Sequence, residues 1–152
     1  MNAPLPWQQT AWHTLTDLLA ANRLPHALLL TGAPGIGKYR FADALAQEVL
    51  CQRRAVSAHA CGVCHDCTLK IAGNHPDFYE IKLGEESSSL GIEAIRSLIQ
   101  SFTLKSHTGG YRVGILAPAE ALTVSAANSL LKILEEPPAE TLWLLISERP
   151  WL

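Results

Sequence analysis

No excess of basic side chains marks this chain: 12 Lys and Arg stand against 14 Asp and Glu, and the formal charge is −2 at pH 7. A dedicated nucleic-acid module usually carries a positive balance, so any DNA contact must be local or shared with partner chains. No apolar run approaches the ~20 residues that cross a bilayer. The opening Met1-Asn2-Ala3-Pro4 lacks the basic and apolar segments of a signal peptide. A cytoplasmic setting is the expectation. Internal repeats, low-complexity tracts and linker-like stretches are missing too, which leaves one domain with one core in 152 residues. At 48% apolar and 17% charged residues, the chain is too apolar to be disordered.

Cysteine is absent outside one span of 17 residues, which holds Cys51 and then Cys61-Gly62-Val63-Cys64-His65-Asp66-Cys67. In a reducing compartment such clustering reads as metal binding rather than disulfides. Three thiolates at C-x2-C-x2-C can take three corners of a tetrahedron, and Cys51, brought back by a nine-residue loop, can close the fourth without leaving an open catalytic position. Zinc is the leading reading. An iron–sulfur cluster is the rival, although the C-x3-C-P continuation common there is missing, with Ile71 in that place. His59 and His65 are near enough to substitute as ligands, and four free cysteines without a role are the bland alternative.

The hydroxyl of a complete phosphate loop is also missing. Thr31-Gly32-Ala33-Pro34-Gly35-Ile36-Gly37-Lys38-Tyr39 lies between an apolar run at 26–30 and a helical segment beginning near Gly37. The pattern G-x4-G-K-[ST] is met by Gly32, Gly37 and Lys38 and fails at Tyr39. Glycines, Gly35 among them, let backbone N–H groups and a helix N-terminus form an anion cradle, with Lys38 reaching the β- and γ-phosphates. A phenol on a rigid ring cannot stand in for the hydroxyl that ligates Mg²⁺. A tight turn without any ligand is the simpler reading of the same residues. Acidic residues are lacking at a second place, the end of the apolar run 111–117. It closes on Ala117-Pro118, and the first carboxylate, Glu120, lies beyond the proline. Neither a metal-holding Asp nor a water-activating Glu stands at the strand end.

Periodicity supplies the rest. Helices are expected at 7–22, with Ala11, Leu15, Leu18 and Leu19 as its apolar face and Trp7 and Trp12 as anchors, at 37–50, at 68–72, at 90–99 with Ile92, Ile95 and Ile99 inward, and at 125–134. Strands are expected at 26–30, buried on both faces, and at 78–83, 111–117 and 141–147. His26 reads as structural. Ser87, Ser88 and Ser89 before the fourth helix could cap it or hold a phosphate. The alternation predicts an α/β fold, a mainly parallel sheet flanked by helices, with the loop at the carboxyl end of its first strand.

Three stretches together resemble one family: His26-Ala27-Leu28-Leu29 leading into 32–38, the cysteine module at 51–67 after the next helix, and Asn128-Ser129-Leu130-Leu131-Lys132-Ile133-Leu134-Glu135-Glu136-Pro137-Pro138. Over residues 5–150 the chain is similar to the N-terminal AAA+ domain, a P-loop NTPase-like fold, of bacterial clamp-loader subunits. An intact motor subunit of that family would carry Ser or Thr at position 39 and Asp-Glu at 117 and 118. Tyr39, Ala117 and Pro118 therefore resemble its ATPase-poor stator type. The resemblance implies Cys51, Cys61, Cys64 and Cys67 as ligands of a structural Zn²⁺, and Ser147 at the polar sensor position. It implies Gly32, Gly35, Gly37, Lys38 and Tyr39 as a degenerate phosphate loop with weak or absent ATP and ADP binding, and no catalytic residue. The partners implied are the motor gamma/tau and delta subunits and, indirectly, the sliding clamp and primed DNA; no membrane is involved. The family's Ser-Arg-Cys arginine-finger tripeptide is absent from these residues, and lid and collar domains are expected to be absent as well. A self-sufficient P-loop ATPase or nucleotide kinase using Lys38 is the competing function, and a redox role is a third if the cysteines hold iron.

Overall fold

The computed structural model of the chain describes residues 3–52, 59–83, 89–103 and 110–148. Five helices and four strands alternate: α1 (Gln9–Ala20), β1 (Ala27–Thr31), α2 (Lys38–Leu50), α3 (His65–Ile71), β2 (Phe78–Lys82), α4 (Ile92–Thr103), β3 (Arg112–Ala117), α5 (Val124–Glu135) and β4 (Thr141–Ser147). The strands form one sheet in the order β1-β4-β3-β2, and every pair is parallel. Parallel neighbours need crossovers, which the helices supply on both faces.

Alternation along β4 shows how the sheet divides the apolar interior. Leu142, Leu144 and Ile146 face one way with Val113 and Ile115 of β3, against Trp12 and Leu19 of α1 and Phe41, Leu45 and Val49 of α2. Trp143 and Leu145 face the other way with Leu116, against Ile95, Leu98 and Phe102 of α4 and Ala126, Leu130 and Ile133 of α5. The single core expected from length is thus two layers sharing a sheet. Gly114 is required by the second layer, because a Cβ there would lie 2.9 Å from the Phe102 ring.

Several local expectations are corrected. The run at 26–30 does not form a strand buried on both faces: β1 pairs only with β4 among the described strands, and Leu29 is 41% exposed. Full burial belongs to the central strands β3 and β4, which have a neighbour on each side. Trp7 is exposed rather than anchored, and Ala11 is also outside the α1 face, which is carried by Trp12, Leu15 and Leu19. Helix α3 begins three residues earlier than expected, because the Cys64 side chain caps it by accepting from Cys67 N. Ser87 and Ser88 lie outside the described residues, as does most of the polar turn at 105–110. No described helix is long and apolar enough to cross a membrane.

Candidate functional site

The glycine-rich loop at 32–37 lies between β1 and the N-terminus of α2. Gly37, at φ +90, is the left-handed residue that turns the chain into the helix, and a Cβ there would come within 2.5 Å of Leu5 Cδ1. Lys38, however, folds back: its Nζ donates to the carbonyls of Gly32 at 2.7 Å and Ala33 at 2.9 Å. The outer turn of the loop is held from the N-terminal segment, with Trp7 Nε1 donating to Ile36 O at 3.1 Å and Gln8 Nε2 to Gly37 O at 3.1 Å. This is the work of Trp7 that its exposed ring does not reveal.

Tyr39, at the place of the metal-ligating hydroxyl, donates its phenolic hydrogen to Glu80 Oε2 at 2.6 Å. Lys82 Nζ lies 3.3 Å from the same carboxylate oxygen and 4.1 Å from the Tyr39 ring centroid. Burial pushes the Tyr39 phenol above its ordinary pKa, and the hydrogen bond to Glu80 adds to the shift. A cavity of about 570 Å³ opens beside these groups, lined in part by Gly35, Lys38, Tyr39, Lys82, Glu120 and Ser147. Ala117 and Pro118 reach it from the end of β3, so no acid stands at that strand end. Glu120 nevertheless turns back to the cavity from a 3-10 turn at Ala119–Ala121, accepting from Ser147 Oγ and, at 3.1 Å, from Glu148 N. Sequence reasoning missed Glu80, Lys82 and Glu120 as neighbours of the loop, since each depends on strand order or on a turn beyond a proline. His26, read as structural, contacts the Leu134 carbonyl at 2.8 Å through Nε2 at the end of α5.

The four cysteines do converge. Their Sγ atoms all lie within 4.8 Å of one another. A tetrahedral Zn²⁺ with Zn–S bonds of ~2.3 Å asks for sulfurs about 3.8 Å apart, so the set fits one ion with small adjustments. Backbone N–H groups already point at the sulfurs: Cys61 N to Cys51 Sγ at 3.3 Å, Cys64 N to Cys61 Sγ at 3.2 Å, and Cys67 N to Cys64 Sγ at 3.4 Å. Such donors favour thiolate. Cys61 is lowered to about 6, first by the Val63 N–H, whereas burial pushes the Cys67 thiol up to about 12. Cys51 comes from the end of α2 and Cys67 from within α3, both fully buried. His59 and His65 are not part of the cluster: His59 stacks on Trp12 with ring centroids 6.0 Å apart, and His65 is exposed.

Buried polar contacts fasten this module to the sheet layer. Lys70 Nζ meets Asp43 Oδ1 at 2.7 Å, Gln47 Nε2 donates to Cys67 O at 3.3 Å, and His75 Nε2 contacts Asp66 Oδ1 at 2.7 Å. The N–H of Asp77 then donates to His75 Nδ1 at 3.0 Å, just before β2.

A family profile described as "DNA polymerase III, delta subunit" matches residues 7–151. Proteins named DNA polymerase III subunit delta' are 43% identical in Pseudomonas aeruginosa, 41% in Yersinia pestis and 37% in Escherichia coli, each over 95% of this chain. The chain spans 42–43% of the length of these curated relatives. Among solved structures, a DNA polymerase III gamma-subunit-related protein from Thermotoga maritima superposes with a TM-score of 0.65 at 20% identity, over 91% of this chain and 39% of that one, and shares the fold. With the profile matched over nearly all of its length, the chain belongs to the DNA polymerase III delta' subunit family.

Proposed function

We propose that residues 1–152 are the AAA+ domain, with the cysteine module at 51–67 inserted, of a non-motor, stator-like subunit of the DNA polymerase III clamp loader. In this reading the whole protein works in the cytoplasm with the motor gamma/tau subunits and delta to place the sliding clamp on primed DNA, as part of the polymerase holoenzyme. It hydrolyses no ATP itself. The observation that carries the reading is the commitment of the Tyr39 hydroxyl to Glu80, at the position where a motor subunit would present a hydroxyl to Mg²⁺. Ala117 and Pro118 at the end of β3 support it, because phosphoryl transfer depends chiefly on placing and neutralising charge.

The loop then serves as architecture. Its lysine is satisfied by loop carbonyls, and ATP or ADP binds weakly or not at all. The cysteines hold a structural zinc in a closed four-thiolate site, which supplies a cross-link between α2 and α3 and no open coordination position. The compactness of the sulfur set favours a single ion over an iron–sulfur cluster, whose irons would spread the ligands apart.

The test is to mix the full-length protein with the motor and delta subunits, sliding clamp and primed DNA. Clamp-dependent, DNA-stimulated ATPase activity that requires this subunit but survives Lys38→Ala in it is expected. Failure to join any loader overturns the reading. Magnesium-dependent phosphate release by the purified chain, lost on Lys38→Ala, would instead favour the P-loop ATPase or kinase, for which the cavity beside Lys38, Glu120 and Ser147 is the relevant feature.

A further inference from the structure

Helix α2 is buried along nearly its whole length, and one amide side chain stands within that apolar stretch. Gln47 is 2% exposed between Ala46 and Glu48, close to the buried Leu45, Val49 and Leu50. Burying an amide is unfavourable unless its hydrogen bonds are made. Gln47 Nε2 makes one, donating to the carbonyl of Cys67 at 3.3 Å. Cys67 lies in the middle of α3, which has only seven residues and is too short to hold its place without tertiary contacts. The Lys70–Asp43 pair fixes its far end and Asp66–His75 its near end. Neither touches a sulfur. Gln47 is a side chain of the neighbouring helix that reaches a ligand residue itself.

Four thiolates around one divalent ion leave an excess of two negative charges, which N–H donors relieve. Backbone donors serve Cys51, Cys61 and Cys64. Cys67 and Cys51 are the fully buried members of the set, and the Cys67 backbone is held from the neighbouring helix by the Gln47 amide. We propose that Gln47 is the positioning residue of the cysteine site: its buried amide holds the Cys67 backbone, orients that residue's sulfur toward the other three, and so sets how tightly a zinc-class ion is held. This rests on the zinc reading of the cysteines, and is independent of clamp-loader membership.

The experiment measures zinc release to a chromophoric chelator, and the thiolate-to-cobalt charge-transfer band after Co²⁺ loading, in the full chain. Gln47→Met keeps length and packing but removes the donor. Gln47→Glu keeps shape and puts an anion against the Cys67 carbonyl. Zinc affinity is expected to fall about tenfold in Gln47→Met, within the range for a lost outer-shell hydrogen bond, and further in Gln47→Glu, with a displaced cobalt band in both. Circular dichroism and amide exchange of β3 and β4 establish that each variant is folded. If Gln47→Met fails to fold, Gln47→Glu carries the comparison. Should a folded variant match the parent within twofold in affinity with an identical cobalt band, Gln47 is packing only and the inference is overturned. A parent chain that holds no zinc or cobalt overturns the metal reading together with it.

Discussion

Tyr39 and Glu80 are 41 residues apart in sequence, and the phenol of one donates to the carboxylate of the other at 2.6 Å. The contact joins the start of α2 to the edge strand β2, beside the cavity that Tyr39 lines. Lys82 completes it from above the ring.

That pair gives a pH signature. In the unfolded chain the phenol ionises near its ordinary 10.0, whereas burial and then the hydrogen bond keep it protonated to higher pH in the folded one. Its contribution is therefore whole below pH 10 and is lost as pH rises above that, when the unfolded chain releases its proton first. Ultraviolet titration of phenolate in the folded chain is expected to show Tyr39 ionising late, with Tyr39→Phe removing one late-titrating tyrosine. Tyr79, raised by burial and by Asp77, is a second. A Tyr39 that titrates at its ordinary value would refute the geometry.

Replacing the hydroxyl alone does not make a motor. Tyr39→Thr restores a metal-ligating group to the loop but leaves Ala117 and Pro118 at the end of β3. Calorimetry is expected to show some gain in magnesium-dependent ATP binding over the parent, while phosphate release stays at background. Turnover by this single variant would show that Glu120, an acid lining the cavity, suffices.

Chelation, or Cys64→Ser, should loosen the module and spare the sheet. Serine keeps the N-cap of α3 while removing a sulfur, so the loss reports on the metal site and not on the cap. Hydrogen exchange is expected to rise across α3 and stay slow in β3 and β4, because the two apolar layers draw nothing from the cysteine cluster. Loss of all cooperative unfolding would contradict that separation.

The Lys70–Asp43 pair is mostly buried, with side chains 5% and 18% exposed. Lys70→Met removes the charged donor and should cost about 2–3 kcal/mol in urea unfolding. Combining it with Asp43→Asn should cost less than the sum of the two single changes, since each then loses a partner already gone. Additive costs would mean that the two side chains do not interact.

Gly114→Ala puts a methyl 2.9 Å from Phe102 Cζ and 3.0 Å from Cε2. Overpacking of about 1–3 kcal/mol is expected, read as a lower urea midpoint. Phe102→Leu in the same chain should recover part of it by making room. A neutral Gly114→Ala would show that the α4 layer yields easily.

Much of this architecture is written locally. Apolar periodicity marks α2, α4, α5, β3 and β4 because each places one side-chain pattern against one environment. The cysteines at 61, 64 and 67 meet because C-x2-C-x2-C wraps on itself, and Cys51 joins them because it ends the helix that precedes the loop. Trp7 and Ala11 lie off the buried face: helical spacing alone does not say where the apolar stripe begins, and the layer above α1 is centred on Trp12.

The sequence by itself determined the alternation of elements, the glycine-rich loop at residues 32–38 between a strand and a helix, the cysteine set, and the residues Tyr39, Ala117 and Pro118 that depart from a complete phosphate-loop pattern. These are short-range patterns, and the backbone around each expresses them directly. Tertiary structure decided which strands are central and which is at the edge, that Lys38 returns to its own loop, that Tyr39 finds Glu80 and Lys82, that Glu120 turns back to Ser147, and that Gln47 meets Cys67. Apart from the lysine's return, each of these contacts joins residues 20 to 43 positions apart. Their encounter depends on sheet order and helix docking, which burial of the two apolar layers selects and no local pattern encodes.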